Sequence, residues 1–147
     1  MINNNLSIEE IEQREGIEVE PIVYIDSSIS IWYHEVRKKR LSQLTDGDVA
    51  RFIRQQVFLK YLVPEAIRRL WENPTIGELY DGEVLKQLST LNKEFWNNNQ
   101  ELKQELLDLL NSIETKRLIP SDFEWISNED EKDFTELVWL LKEKLDN

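Results

Sequence analysis

The side chains with chemistry to offer in this chain of 147 residues are carboxylates: 29 Asp and Glu stand against 18 Lys and Arg, with one His and no Cys. The densest run is Asn128, Glu129, Asp130, Glu131, Asp133 and Glu136, interrupted by Lys132. A second group, Glu78, Asp81 and Glu83, surrounds Tyr80 in a loop bounded by Gly77 and Gly82. Paired carboxylates can act as acid and base or hold Mg²⁺, and Glu10, Asp48, Asp81 and Asp122 are the ones an enzyme would draw on. They lack the company such chemistry needs. There is no thiol, no glycine-rich phosphate cradle and no Asp-rich calcium loop, and His34 has no second His, Cys or Ser in a recognisable arrangement. The inventory argues for a binding protein that needs no cofactor or metal, and against an enzyme; a carboxylate-dependent hydrolase ranks last.

The net charge of −11 is unevenly spread. Residues 1–26 carry 7 acidic and 1 basic side chains, residues 27–75 carry 5 and 9, and residues 76–147 carry 17 and 8, giving −6, +4 and −9. A focused acidic face steers a basic partner, raising association rates to about 10⁸–10⁹ M⁻¹s⁻¹ at low salt, whereas it repels nucleic acid. The basic middle leaves an alternative open, a helical adaptor or nucleic-acid-related module using residues 37–69. Four consecutive cations, Arg37, Lys38, Lys39 and Arg40, can equally serve the negative end of a helix dipole.

These groups are positioned by helices. Ser7 with Glu10 is a capping box opening a short helix that ends near Gly16. Residues 17–25, apolar around Pro21, read as an extended arm. Ser28 starts a helix carrying Ile29, Trp32, Tyr33 and Val36 on one face and finishing in the basic run. Thr45 caps the next, and Pro64 is expected to break a long pattern at Leu62 to Pro64. Helices follow with Val84, Leu85 and Leu88 inward, with Phe95 and Trp96, with Leu102, Leu106, Leu109, Leu110 and Ile113, and with Phe134, Leu137, Val138, Leu141 and Leu145. The prediction is an all-α fold, one compact helical bundle of about seven helices over residues 1–147, with an extended N-terminal arm. No stretch reaches the roughly 18 apolar residues of a membrane span and no signal peptide is evident, so a soluble, cytoplasmic protein is expected.

The central block resembles a known family. Val36, Arg37, Lys38, Lys39, Arg40 and Leu41 are followed by Thr45 and Asp46, by Arg54, Gln55 and Gln56, and by Leu59, Lys60, Tyr61, Leu62, Val63 and Pro64. Asn73 and Pro74, then Tyr80, Asp81, Gly82, Glu83, Val84 and Leu85, then Phe95 and Trp96 complete the series. In order and spacing this is similar to immunity proteins of bacterial contact-dependent growth inhibition (CDI) systems, over about Glu9 to Leu110. Arg40 stands where relatives tend to have Pro, and the segment after Asn111 lies outside the match. The resemblance implies a bacterial cytosolic protein that binds the toxic C-terminal domain delivered by a neighbouring cell, often a nuclease with a basic cleft, as a 1:1 heterodimer.

Charge and resemblance together nominate toxin-binding residues: Glu78, Tyr80, Asp81 and Glu83 in the loop, and Trp125, Glu129, Asp130, Glu131 and Asp133 near the last helix. Each group also has a plain structural reading, as the acidic first turn of a helix. Of the five Trp, Trp32, Trp71 and Trp139 fall on or beside apolar helical faces and are expected in the core. Trp96 and Trp125, beside polar runs, are the candidates for an exposed anchor.

Overall fold

In the computed structural model, which describes residues 4–18 and 28–146, eight α-helices and one 3₁₀ turn build the fold, with no β-strand among the described residues. They are α1 (Ile8–Arg14), α2 (Ser28–Val36), the 3₁₀ turn (Leu41–Gln43), α3 (Asp46–Arg54), α4 (Leu59–Glu72), α5 (Glu83–Ser89), α6 (Lys93–Asn97), α7 (Gln100–Thr115) and α8 (Asn128–Asp146). The all-α expectation is met. Of the extended arm predicted over residues 17–25, residues 19–25 lie outside the described residues.

Two helix starts follow the sequence signals closely. Ser7 Oγ accepts from the Glu10 N–H while Glu10 Oε1 accepts from the Ser7 N–H, and Thr45 and Asp48 repeat the exchange at α3. Each exchange satisfies orphan N–H groups of a first turn, typically worth about 1 kcal/mol. At α1 the rest are met from a distance: the Ile8 and Glu9 N–H groups donate to the carbonyls of Lys39 and Arg37. The backbone of the basic run therefore caps α1. Helix α2 ends at Val36, ahead of that run, so the four cations do not form its last turn as expected.

The predicted break at Leu62 to Pro64 is absent. Helix α4 runs through Pro64, and the discontinuity lies earlier, where Gln56 (φ 57°) and Phe58 (φ 52°) adopt left-handed backbone between α3 and α4. A proline ring costs one i→i−4 hydrogen bond, here to Lys60, but burial of Leu62, Val63, Ala66, Ile67 and Leu70 along one face holds the helix together.

Helix α3 packs on α4 and α5, α4 on α7, and α7 on α6 and α8, while α8 also reaches α5 and α6. One hydrophobic core runs through these contacts, from Leu6, Ile8 and Ile11 through Phe52, Leu70, Leu88 and Trp96 to Phe134, Val138, Leu141 and Leu145. Burial of a large apolar side chain stabilises by about 1.5–3 kcal/mol, so the four contributed by α8 suffice to dock it. That docking sets the first turns of α8 beside the loop preceding α5. Among the described residues, no helix is long and apolar enough to cross a membrane.

Candidate functional site

The loop at residues 75–82 closes on itself before it meets anything else. The Gly82 N–H donates to the Thr75 carbonyl and the Val84 N–H to the Ile76 carbonyl. Inside the ring so formed lies Glu83, 2% exposed, whose Oε1 accepts from the Glu78 N–H at 2.7 Å and the Leu79 N–H at 3.2 Å. Glu83 therefore shapes the loop from within instead of facing solvent. Glu78 is exposed, and its carboxylate lies against Gly47 in the first turn of α3, where an added Cβ would come within 2.2 Å of it. Leu79 and Tyr80 are left pointing outward. Burial, and then the Glu83 charge, push the Tyr80 phenol above its ordinary pKa, so it stays protonated at neutral pH.

Two contacts join this loop to α8 and the segment just before it. Asp81 Oδ2 accepts from the Ile126 N–H at 3.1 Å, and Gly82, at φ 87°, lets Phe134 approach until a Cβ there would meet Phe134 Cδ2 at 2.8 Å. Both features of Gly82, the left-handed backbone and the missing side chain, are needed at once. The outcome is an open groove of about 550 Å³ with the loop on one side and α8 on the other, its wall including Tyr80, Asp81, Asp130, Asp133, Glu136 and Leu140. Lys86 is the one cation on that wall. Members of two acidic groups about 50 residues apart in sequence thus border a single groove. Glu129 and Glu131 are exposed on α8 but do not line this groove.

The aromatic assignments come out differently from expectation. Trp96 is 1% exposed, packed edge-on against Phe95, and Trp125 is half-buried between Phe123 (4.9 Å) and Phe134 (5.5 Å). Trp139 instead stands 57% exposed, beside Leu140 at 49%, and Trp71 is also at the surface. The reason is angular: the buried stripe of α8 is Phe134, Val138, Leu141 and Leu145, and each further residue turns about 100° around the helix, which carries Trp139 off that stripe. Leu79, Tyr80, Ile126, Trp139 and Leu140 are five of the eight large apolar side chains left exposed among the described residues, all on the loop, on α8 or just before it. Glu136 and Leu140 line the groove with the nominated residues and Trp139 stands exposed beside Leu140, and the i, i+4, i+7 register of Phe134, Val138 and Leu141 is the signal that could have placed them at the surface.

In the basic middle of the chain four of the nine cations are engaged by neighbouring side chains, while Lys38, Arg40, Arg54 and Lys60 stay exposed. Arg37 holds Glu12 with two nitrogens, its Nη2 at 2.7 Å from Oε1, and Tyr33 donates its hydroxyl to the same carboxylate. Burial raises the Glu12 carboxyl, but the hydrogen bonds from Arg37 and Tyr33 outweigh it and hold the group below the ordinary carboxylate range. Glu65 is fully buried and accepts from Arg68 (2.9 Å) and Arg69 (2.7 Å), with the same balance: burial pushes its carboxyl up and the two guanidiniums bring it lower still. Arg69 continues to Asp46 at 3.0 Å and to the Leu41 carbonyl at 2.9 Å. Arg51 lies 4.8 Å over the ring of Trp32, whose Nε1 donates to Asp48 at 2.8 Å. Arg37, Arg51, Arg68 and Arg69 are thereby spent on the fold, which removes four cations from any phosphate-binding face over residues 37–69.

Comparison with known families matches residues 13–106, well over half of the chain, to a family model described as CDI immunity proteins. A search of curated proteins finds no significant match. The matched span takes in the Tyr80 loop and ends inside α7, so α8 falls beyond it.

Proposed function

The chain belongs to the CDI immunity proteins, whose role is to neutralise a CDI toxin, and from that premise we propose how this member does so. It binds the C-terminal domain of its cognate toxin, a basic RNA-cleaving nuclease, one to one in the bacterial cytosol, and covers the substrate cleft with the acidic surface made by the Tyr80 loop and α8. No chemistry is asked of the immunity protein, since occlusion alone stops a nuclease. The observation that carries the reading is the groove in which Asp81, Asp130, Asp133 and Glu136 face solvent against the single cation Lys86, with exposed Tyr80 and Leu140 among them. Apolar anchors ringed by charge are the usual anatomy of a specific interface, and roughly 1,600 Å² of total buried area is enough.

A nuclease cleft must attract phosphates, so its field is the complement of this one. Glu78, Tyr80, Asp81, Glu129, Asp130, Glu131 and Asp133 are the proposed contact residues, with Glu83 and Trp125 holding the surface from inside. The nucleic-acid reading loses support because four of its arginines are engaged within the fold.

Titration of the purified protein into the toxin domain, with RNA cleavage followed in the same mixtures, tests this. The expected result is loss of cleavage at one equivalent, with an association rate that falls steeply as salt is raised. Binding that leaves cleavage intact, or inhibition indifferent to ionic strength, contradicts occlusion by an acidic face.

A further inference from the structure

We propose that Trp139, with Glu136 one turn before it, receives an arginine side chain of the toxin domain. The inference rests on the neutralisation reading and names the contact at its centre. Trp139 is the most exposed aromatic ring among the described residues and lies on the solvent side of a helix whose opposite face is docked in the core. It lines a shallow concavity along α8 with Asn128, Glu131, Lys132, Thr135 and Glu136. None of the ion pairs among the described residues reaches Glu131 or Glu136.

Elsewhere the protein itself seats an arginine on a tryptophan. At Trp32 a carboxylate, Asp48, accepts from the indole, and a guanidinium, Arg51, lies 4.8 Å over the ring. Trp139 offers a comparable ring to solvent, with Glu131, Lys132 and Glu136 along the same concavity, and none of the described cations lies over that ring. A guanidinium suits an exposed indole beside carboxylates better than an ammonium such as that of Lys132, because its planar face stacks on the ring while its edge donates to a carboxylate. A second copy of this chain is a poor occupant, since each carries a net charge of −11 and would bring carboxylates against carboxylates. A basic partner fits by charge, and Trp and Arg are the side chains most often found at the energetic centre of interfaces.

The test measures the affinity of full-length variants for the purified toxin domain. Trp139→Ala and Trp139→Leu are expected to weaken binding about tenfold or more, Trp139→Phe to keep much of it, and Glu136→Gln to weaken it a few-fold with a shallower salt dependence. Unchanged thermal melts will separate these losses from misfolding. Replacing toxin arginines singly, alone and against Trp139→Ala, is expected to find one whose loss costs nothing further in the Ala background. Wild-type affinity in Trp139→Leu, or additivity for every arginine, overturns the arginine site while leaving neutralisation intact. A wild-type protein that neither binds nor inhibits the domain overturns the function and the site together.

Discussion

The two ends of the molecule use the same side chains in opposite ways. Between Glu12 and Glu72 carboxylates and guanidiniums meet: Glu12 with Arg37, Glu65 with Arg68 and Arg69, Asp46 with Arg69. From residue 76 onward there are 17 acidic and 8 basic side chains, yet Lys142 with Glu114 is the one ion pair among the described residues. Trp32 and Trp139 repeat the contrast, one carrying an arginine and the other bare. Charge that is paired and buried specifies a fold, because each partner is costly without the other. Charge that is left open is available to a second molecule, and it destabilises its owner slightly until that molecule arrives.

If that division is right, the two ends should break differently. The largest effect is expected from Glu65→Ala, which strands Arg68 and Arg69 without their buried counter-ion and should cost about 3–5 kcal/mol in denaturant unfolding. Gly82→Ala comes next. Strained left-handed backbone and collision with Phe134 should cost about 1–3 kcal/mol, and because this position joins the loop to α8, toxin affinity should fall with it. Acid sharpens the contrast. Glu12 and Glu65 have carboxyls held below their ordinary pKa of 4.5, so the stability they supply is complete above that value and lost as pH falls through their lower folded-state values. Thermal melts between pH 7 and pH 3 should show this acid limb, and Glu65→Gln should flatten it. Asp130→Asn with Asp133→Asn is expected to do least to the fold, within about 0.5 kcal/mol, while slowing toxin association and reducing its salt dependence.

What the sequence made legible were local signals. The capping boxes at Ser7 and Thr45 act over three residues, and the apolar stripes of α7 and α8 act over single turns, so both could be read without a third dimension. Pro64 misled because the chain turns instead at Gln56 and Phe58, two residues whose types do not announce left-handed backbone. The basic run has the composition of a helix terminus, whereas the partner of Arg37 lies 25 residues away on α1. The site was half legible. Both acidic groups stood out by composition, but their union depends on Asp81 reaching Ile126 across 45 residues and on a glycine fitting against Phe134. Trp139 reads as a core residue because apolar neighbours on both sides, Val138 and Leu140, obscure which way a single residue faces.

The most direct test of the central claim is amide hydrogen exchange of the protein alone and in complex with its toxin domain. Backbone groups in the 77–82 loop and along 128–140 should gain protection in the complex, while the paired network around Arg37 and Glu65 stays as it was. Protection centred on residues 37–69, with α8 exchanging as in the free protein, would contradict the account and return the interface to the basic middle of the chain.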